Sequence, residues 1–336
     1  MRALVYTAPE ALEMREVADP EPDPARDEAL VRVERVGICG SDMHAFLGHD
    51  ARRPAPLVLG HEAAGTVVGG PDDGRRVTVN PLVACGTCPR CTEGRANLCP
   101  AREIVSMMPR PGAFAQYIAI PRANLVTVPD DVALAKAALA EPIACGWHAV
   151  RLAERTLHGR LGDTDALVIG GGAIGVGAAL ALAAAGARSV VLTEPSAARR
   201  AHLARAGEID ARAPDELDAD ARFALVIDGV GHAATRASAS ERVEAGGVVA
   251  HIGLGEAAGG LDVRRMTLQE ITFIGTYTYT PDDFRATCAA IFDGSLGALG
   301  WTEDRALDDG AAAFADIRSG ATPAPKILLV PDHGAR

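Results

Sequence analysis

Four cysteines lie within fifteen positions of this chain, with the spacing C-x2-C-x2-C-x7-C: Cys85, Cys88, Cys91 and Cys99. Glycine and proline surround them, which predicts an irregular loop without a hydrophobic core of its own. Four thiolates that fold around one point suit a closed tetrahedral zinc site, and the metal then replaces the missing core. A stretch near residues 81–100 is therefore predicted to form a structural zinc lobe.

Two alternatives use the same cysteines. Disulfides require an oxidising compartment, and the N-terminal residues lack the apolar core of a signal peptide, so we expect a cytoplasmic protein. An iron–sulfur cluster would accept four cysteine ligands, but the motifs described next favour zinc.

A second set of possible metal ligands precedes the lobe. Cys39 opens the run Cys-Gly-Ser-Asp-Met-His, which ends at His44, and His61 and Glu62 follow a glycine. A cysteine, a histidine and a carboxylate brought together by folding would form an open zinc site, with a position left for substrate or water. Either Cys39 or His61 alone would be interpreted as a buried core residue. Glu141 offers a further carboxylate.

Residues 166–194 predict a dinucleotide-binding unit. An apolar strand runs into G-x-G-x-x-G at Gly170, Gly172 and Gly175, an alanine-rich helix follows, and a second strand ends at Glu194. Glycine lets the backbone approach a pyrophosphate, and the helix N-terminus offers free N–H groups and a positive dipole. A carboxylate at this distance past the turn can bind the adenosine ribose.

The expected cofactor is NAD, with NADP less favoured. Glu194 would repel a 2'-phosphate. Arg199 weakens this preference, because an arginine can accept a phosphate.

Charge and hydropathy argue against two kinds of partner. The formal net charge of −11 disfavours nucleic acid and anionic membranes. The uncharged run 166–187 has the length of a membrane span. Glycine and alanine fill most of it, however, and a doubly wound fold would bury such a strand and helix. We therefore expect no nucleic-acid or membrane partner.

Together these motifs closely resemble the zinc-dependent medium-chain dehydrogenases, in order, over nearly the whole chain. The resemblance implies an α/β fold with two parts: an N-terminal twisted β-barrel-like (GroES-like) catalytic domain, and a Rossmann domain with a doubly wound parallel sheet. The implied division is 1–146 for the catalytic domain, 147–277 for the NAD-binding domain, and 278–336 for a return to the first. It also implies two Zn²⁺ per chain, an alcohol or ketone substrate in the interdomain cleft, and a homodimer or homotetramer.

The resemblance assigns roles to particular residues. Cys39, His61 and Glu62 would bind the catalytic zinc, and Glu141 would bind it directly or hold its water. Glu141 stands where the alcohol dehydrogenase branch has a cysteine, and Glu141-Pro142 is similar to the polyol (sorbitol and butanediol) branch.

Three neighbours of Cys39 would complete the site by the same resemblance. Ser41 and His44 would carry the proton that the alcohol loses, through the cofactor ribose. Asp42 would accept a hydrogen bond from the ligating histidine.

The same resemblance supplies a set of cofactor-binding residues. It comprises Gly170, Gly172, Ala173, Ile174, Gly175, Glu194, Arg199, Gly229, Ile252, Gly253, Leu254, Gly275 and Thr276. Lys326 would lie near the pyrophosphate, or else be a surface charge. Ile271–Thr280 is rich in β-branched and aromatic residues, which predicts a strand.

Three functions remain open from the sequence. The first is oxidation of a polyol, vicinal diol or amino alcohol, since a site with two glutamates would suit a substrate with two adjacent heteroatoms. The second is a threonine-type or simple secondary-alcohol dehydrogenase, because Arg110-Pro-Gly-Ala-Phe114 is similar to the threonine branch. The third is a catalytically inactive NAD-binding protein with a structural or sensing role.

The residues that would select the substrate are less defined. Cys145 would face the cofactor. The pocket candidates are Phe46, His49, Met107, Met108, Phe114 and Trp301.

Overall fold

The chain divides between two main sheets whose strands carry different sequence patterns. The computed structural model describes residues 1–207 and 209–334. The strands are β1 (Arg2–Ala8), β2 (Ala11–Glu16), β3 (Glu28–Gly37), β4 (Leu57–Val58), β5 (Glu62–Val68), β6 (Arg76–Val79), β7 (Leu82–Val83), β8 (Glu103–Ile104), β9 (Tyr117–Pro121), β10 (Leu125–Thr127), β11 (Asp165–Ile169), β12 (Ser189–Thr193), β13 (Ala211–Arg212), β14 (Phe223–Asp228), β15 (Val243–His251), β16 (Thr272–Gly275), β17 (Thr302–Ala306) and β18 (Lys326–Val330).

Ten α-helices connect these strands in the described part of the chain. They are α1 (Gly40–Phe46), α2 (Pro89–Thr92), α3 (Leu134–Ala137), α4 (Ala140–Glu154), α5 (Ala173–Ala184), α6 (Ala197–Ala206), α7 (Ala233–Arg242), α8 (Val263–Leu268), α9 (Pro281–Phe292) and α10 (Gly310–Ser319). No helix in residues 1–207 and 209–334 has the length and apolarity to cross a membrane.

The first sheet brings the possible metal ligands together. Its strand order is β10-β6-β5-β3-β18-β17, with β9 also paired to β3. The antiparallel register of β3 with β5 places Gly37 opposite Glu62. Cys39, two residues past the end of β3, therefore lies beside His61, which directly precedes β5. Strand β18 pairs with the other edge of β3 and brings Lys326 to the same place.

The second sheet is wholly parallel, with strand order β13-β12-β11-β14-β15-β16. Runs such as Ala166–Ile169 and Leu225–Ile227 are buried, as expected when helices cover both faces of a parallel sheet. The carboxyl ends of these strands meet at one edge. That edge carries the glycine turn after β11 and Glu194 after β12.

The predicted fold class is confirmed: a β-rich first part and a Rossmann-like parallel sheet. The division at residues 146 and 277 remains our proposal. All strands of the parallel sheet fall within 147–277, and β17 and β18 join the first sheet.

The prediction of one strand over Ile271–Thr280 was wrong in its second half. Strand β16 ends at Gly275, and Thr278 has a left-handed backbone with φ of 47°. Thr280 then begins α9, because its hydroxyl accepts the N–H of Asp283. The need to cap α9 thus overrides the β propensity of residues 276–280, which become a loop facing the interdomain cleft.

Helices α4 and α9 are joined by a buried ionic cluster that the sequence did not reveal. One Asp283 oxygen contacts His148 Nδ1 at 2.7 Å and accepts hydrogen bonds from the Thr280 N–H at 3.0 Å and hydroxyl at 2.6 Å. Arg151 donates to both carboxylate oxygens. Since α4 carries Glu141 and α9 follows the cleft loop, this cluster fixes two walls of the site relative to each other.

Candidate active site

Cys39, His61 and Glu62 form a compact group in which the possible ligand atoms all lie within 4.8 Å of one another. The Oε2 atom of Glu62 is buried and has no hydrogen-bond partner. A buried carboxylate oxygen without a partner is costly, and a cation would satisfy it. One thiolate, one imidazole and one carboxylate are ligands that Zn²⁺ accepts, so the residues fit the metal.

Asp42 lies behind this group. Its carboxylate accepts the Cys39 N–H at 3.0 Å and contacts Arg53 Nη1 at 3.2 Å, and Oδ1 lies 3.4 Å from His61 Nδ1. Burial raises the pKa of Asp42, but His61, Arg53 and the Cys39 N–H outweigh it and hold that pKa at about 2. Asp42 is therefore an anion beside the His61 ring. His61 Nδ1 has no hydrogen-bond partner among the described residues, so the hydrogen bond to Asp42 that the family resemblance implied remains a proposal.

Lys326 is not a surface charge, and that alternative was wrong. Its side chain is 3 % exposed, and Nζ donates to Glu62 Oε1 at 2.6 Å and to the Ile38 carbonyl at 2.8 Å. Lys326 also lines a cavity of about 290 Å³ beside the glycine turn, so a place near the pyrophosphate remains a proposal. Its ammonium group is committed to Glu62, which leaves only Oε2 of that carboxylate for a metal.

Glu141 stands apart from the compact ligand group but lines the same cleft. The Tyr279 hydroxyl donates to Glu141 Oε1 at 2.7 Å. Burial raises the pKa of Glu141 to about 6; the charge of Glu62 adds to the rise, and His61 and Tyr279 oppose it. Glu141 is thus close to its titration point near neutral pH, which suits a group that gains and loses a proton or a ligand.

Ser41 and His44 both line the cleft, on the first turns of α1. Arg53 Nη2 lies 3.4 Å from Ser41 Oγ, and the Arg53 side chain is only 2 % exposed. Arg53 therefore links the Ser41 hydroxyl to Asp42, a connection that the sequence did not predict.

A cleft of about 980 Å³ runs from the ligand group to the parallel sheet. The predicted cofactor residues that line it are Gly170, Gly172, Ile174, Glu194, Arg199, Gly229, Ile252, Gly253, Leu254 and Thr276. One cavity therefore touches both the possible metal ligands and the dinucleotide turn.

The other three predicted cofactor residues lie elsewhere. Ala173 lines the smaller cavity. A Cβ on Gly175 would lie 1.8 Å from the Gly170 carbonyl oxygen, so this glycine permits the close packing of α5 on the turn. Gly275 is exposed with open space around it and does not line the cleft.

Glu194 shapes the turn as well as facing the cleft. Its carboxylate accepts the N–H of Gly171 at 2.9 Å and the N–H of Ser196 at 2.8 Å. Arg199 Nη1 lies 3.7 Å from the same carboxylate. Backbone N–H groups from two segments therefore hold the Glu194 carboxylate, the charge that would meet the adenosine ribose.

The four cysteines of the zinc lobe surround a common point. The sulfur separations are 3.9 Å for Cys85–Cys91, 3.5 Å for Cys88–Cys91 and 3.5 Å for Cys85–Cys99. A tetrahedron with Zn–S bonds of about 2.3 Å has edges of roughly 3.8 Å, whereas a disulfide needs about 2.05 Å. The spacing fits a metal, and all seven cysteines of the described chain are free.

Most of the predicted pocket residues lie outside the cleft. Met107 and Cys145 line it. Phe46, Phe114 and Trp301 are buried in the hydrophobic core, while His49 and Met108 are exposed. Large apolar residues serve the core more often than a pocket, and nothing in the spacing separated the two roles.

The Arg110–Phe114 segment does not reach the cleft. Arg110 is buried and pairs with Glu28 at 2.7 Å and Glu103 at 2.6 Å. A Cβ on Gly112 would lie 2.1 Å from the Leu59 carbonyl oxygen. The segment therefore supports the strand that leads to His61, and its likeness to the threonine branch carries no information about substrate.

Two family models match the chain. The model described as "Alcohol dehydrogenase GroES-like domain" matches residues 25–130, and "Zinc-binding dehydrogenase" matches residues 173–293. The chain belongs to the zinc-dependent medium-chain dehydrogenase family. It is a zinc-dependent, NAD(P)-linked alcohol dehydrogenase, which confirms the predicted class of enzyme.

Relatives extend this likeness over most of the chain. An L-galactonate-5-dehydrogenase of Escherichia coli (strain K12) is 33% identical over 89% of both chains. An L-threonine 3-dehydrogenase of Chelativorans sp. (strain BNC1) is 31% identical over 95% of this chain and 96% of the relative. The structure of galactitol-1-phosphate dehydrogenase from Escherichia coli superposes with a TM-score of 0.86 at 26% identity, covering 98% of this chain and 100% of that one.

Proposed function

We propose that this enzyme oxidises the secondary alcohol of a polyol, a vicinal diol or an amino alcohol with NAD. The observation that supports this most directly is the presence of two glutamates at the site: Glu62 within the buried ligand group, and Glu141 on the wall of the cleft that this group adjoins. One Glu62 oxygen is unpartnered beside Cys39 and His61, and Glu141 is buried with a pKa of about 6. A second hydroxyl or an amino group on the substrate would find a carboxylate to bind that a mono-alcohol cannot use.

Each residue of the site would have a distinct role in the proposed oxidation. Cys39, His61 and Glu62 would hold a zinc that polarises the alcohol oxygen and lowers its pKa. Ser41 would accept the alcohol proton and His44 would receive it in turn, while Arg53 orients the Ser41 hydroxyl. The glycine turn and the strand ends would hold the nicotinamide cofactor, which would supply the hydride acceptor across the cleft.

The decisive comparison uses 2,3-butanediol and 2-butanol, which differ by one hydroxyl. At saturating NAD, kcat/KM should be at least about tenfold higher for the diol, as expected for one additional hydrogen bond to a charged group. The comparison should be repeated in Glu141→Ala, where the diol should lose its advantage. Equal or better efficiency with 2-butanol in the wild-type protein would exclude the proposal.

A threonine-type dehydrogenase is the second candidate. The L-threonine 3-dehydrogenase relative supports it, and L-threonine carries adjacent amino and hydroxyl groups. L-threonine should therefore be assayed beside the diol, and a kcat/KM for it well above those of polyols would replace the first candidate. An inactive NAD-binding protein fits poorly with the grouped ligands and the shared cleft.

We also propose NAD rather than NADP, because the Glu194 carboxylate, held by two backbone N–H groups, would face a 2'-phosphate. The test is kcat/KM with each cofactor.

We further propose a homodimer or homotetramer in the cytoplasm. Exposed Phe273, on strand β16 at one end of the parallel sheet, supports self-association. The seven free cysteines support a reducing compartment. Light scattering at several protein concentrations tests the first point, and localisation of a tagged chain tests the second.

A further inference from the structure

Two side chains, Asn97 in the zinc lobe and Arg102 directly after it, contact the segment that lines the cleft. Asn97 lies between Cys91 and Cys99, is buried, and donates its Nδ2 to the Tyr277 carbonyl at 2.8 Å. Tyr277 is 180 residues further along the chain. Because the Asn97 amide is buried, its hydrogen bond to the carbonyl of a distant residue holds the backbone of Tyr277 in place.

Arg102 makes the second connection. Its Nη1 donates to the carbonyl of Cys99 at 2.8 Å, so the guanidinium is anchored on the last cysteine of the lobe. The same group lies over the Tyr277 ring at 4.9 Å from the centroid, and its Nη2 lies 3.3 Å from the Tyr277 hydroxyl oxygen. The lobe thus holds both the backbone and the ring of Tyr277.

Tyr277 is half-buried and lines the cleft. Thr276, Tyr277 and Thr278 line the cleft after β16 has ended, so no strand pairing fixes them. Thr276 is tied to the His251 carbonyl, and Tyr279 to Glu141. Between these two points Thr278 has a left-handed backbone, and its hydroxyl has no partner. Between these two points, the contacts from Asn97 and Arg102 are the ones that hold Tyr277 within the described residues.

We propose that the zinc lobe is a positioning element for the active site. Through Asn97 and Arg102 it holds Tyr277 as a wall of the cleft, and it thereby keeps Tyr279 in register with Glu141. Asn97 and Arg102 act through Tyr277 and touch no reacting atom. The inference rests on the proposed use of the cleft for substrate, but the contacts themselves stand independently of which alcohol is oxidised.

The test compares Arg102→Met and Asn97→Ala with a matched control, Arg90→Met. Arg90 belongs to the same lobe but pairs only with Glu93 on the surface. Three quantities are measured: zinc per chain, hydrogen–deuterium exchange in the peptide that covers residues 272–283, and the separate kcat and KM for 2,3-butanediol.

Both test variants should retain two zinc ions while exchange at residues 276–279 accelerates about tenfold, the change expected from losing one hydrogen bond or one cation–π contact. The KM for the diol should rise by about the same factor, with a smaller change in the KM for NAD. Arg90→Met should match the wild type in all three. Arg102→Lys keeps the positive charge but loses the planar guanidinium group, so its exchange rate and its KM for the diol should lie between those of the wild type and Arg102→Met.

A second arm separates positioning from a general weakening of the lobe. In a Tyr277→Leu background the ring is absent, so Arg102→Met should add little to exchange or KM. If Arg102→Met raises the KM for the diol equally in both backgrounds, or if residues 276–279 exchange as in the wild type, the proposal is wrong. If no alcohol is oxidised by any variant, the proposed function fails, while the exchange data still decide the role of the lobe.

Discussion

Replacing Asp283 with asparagine should destabilise the protein, because Asp283 is the buried carboxylate of α9. The Asp283 side chain is 2 % exposed and receives hydrogen bonds from Thr280, His148 and Arg151. Asparagine keeps the shape but removes the charge and turns a donor toward other donors. Breaking a buried ion pair from one side costs about 3–5 kcal/mol.

Solvent exposure of Arg151 reduces the expected loss of free energy of unfolding. The Arg151 side chain is 30 % exposed, so water compensates part of its lost contact, and we expect about 2–3 kcal/mol. For a domain of this size each kcal/mol moves Tm by roughly 2–4 °C, so the midpoint should fall by about 4–12 °C.

The pH dependence of this effect has a defined sign. Burial raises the pKa of Asp283, but His148, Arg151 and Thr280 outweigh it and hold that pKa well below its usual range. A depressed carboxyl pKa contributes stability that is complete above the unfolded pKa of about 3.9 and is lost only as pH falls below it. The difference in Tm between wild type and Asp283→Asn should therefore stay constant from pH 6 to pH 8.

The assay is differential scanning fluorimetry of the zinc-loaded proteins, with Asp282→Asn as the control. Asp282 is the preceding residue, its side chain is 82 % exposed, and it pairs with Arg285 one turn away. A Tm for Asp283→Asn within a degree of the control would refute the argument. A difference that changed between pH 6 and pH 8 would contradict the assignment of the effect to the Asp283 carboxylate.

Four further outcomes follow from the site. A chelator should remove activity before it unfolds the protein, because four thiolates close one zinc site and the other is open; one metal per fully active chain would contradict this. Cys39→Ser should abolish turnover and leave NAD binding, measured by titration, nearly intact. Cys88→Ser should instead yield insoluble or unstable protein. A Cys88→Ser variant that was soluble, stable and zinc-replete would contradict the assignment of the lobe as a structural zinc site. Glu194→Ala should weaken the binding of NAD and reduce the preference for NAD over NADP. Unchanged Kd values for both cofactors would disprove the role of Glu194 in binding the ribose. Tyr279→Phe removes a hydrogen bond that lowers the pKa of Glu141, so the acid limb of kcat/KM should move to higher pH; an unmoved limb would exclude Glu141 from that limb.

The sequence predicted the parts of the site that depend on short spacings. The four cysteines of the lobe, the glycine turn and Glu194 each lie within one loop or one strand–helix–strand unit, so their spacing nearly determines their geometry. Cys39 and His61 are farther apart, and their grouping followed from the family likeness. The register of Gly37 with Glu62 gives the physical reason for it.

The parts that escaped prediction depend on contacts between distant segments. Lys326 reaches Glu62 across 264 positions, and Tyr279 reaches Glu141 across 138. Neither pair has a local signal, since a lysine at the start of a strand and a tyrosine in a β-rich run are both common in sequences. Composition also gave no means to separate Met107, which lines the cleft, from Trp301, which lies in the core.

Lys326 changes the charge balance of the ligand group. With Zn²⁺ bound, the Cys39 thiolate and the Glu62 carboxylate would neutralise the metal, and the buried Lys326 ammonium then adds one positive charge. The site is therefore cationic until Glu141 ionises, and a cationic centre favours loss of the alcohol proton. Burial raises the pKa of Glu141, and its ionisation would make that centre neutral. We therefore expect the state of Glu141 to affect both the acidity of the substrate and the binding of a second heteroatom, which a cysteine in its place, with a thiolate of fixed charge on the metal, would not do.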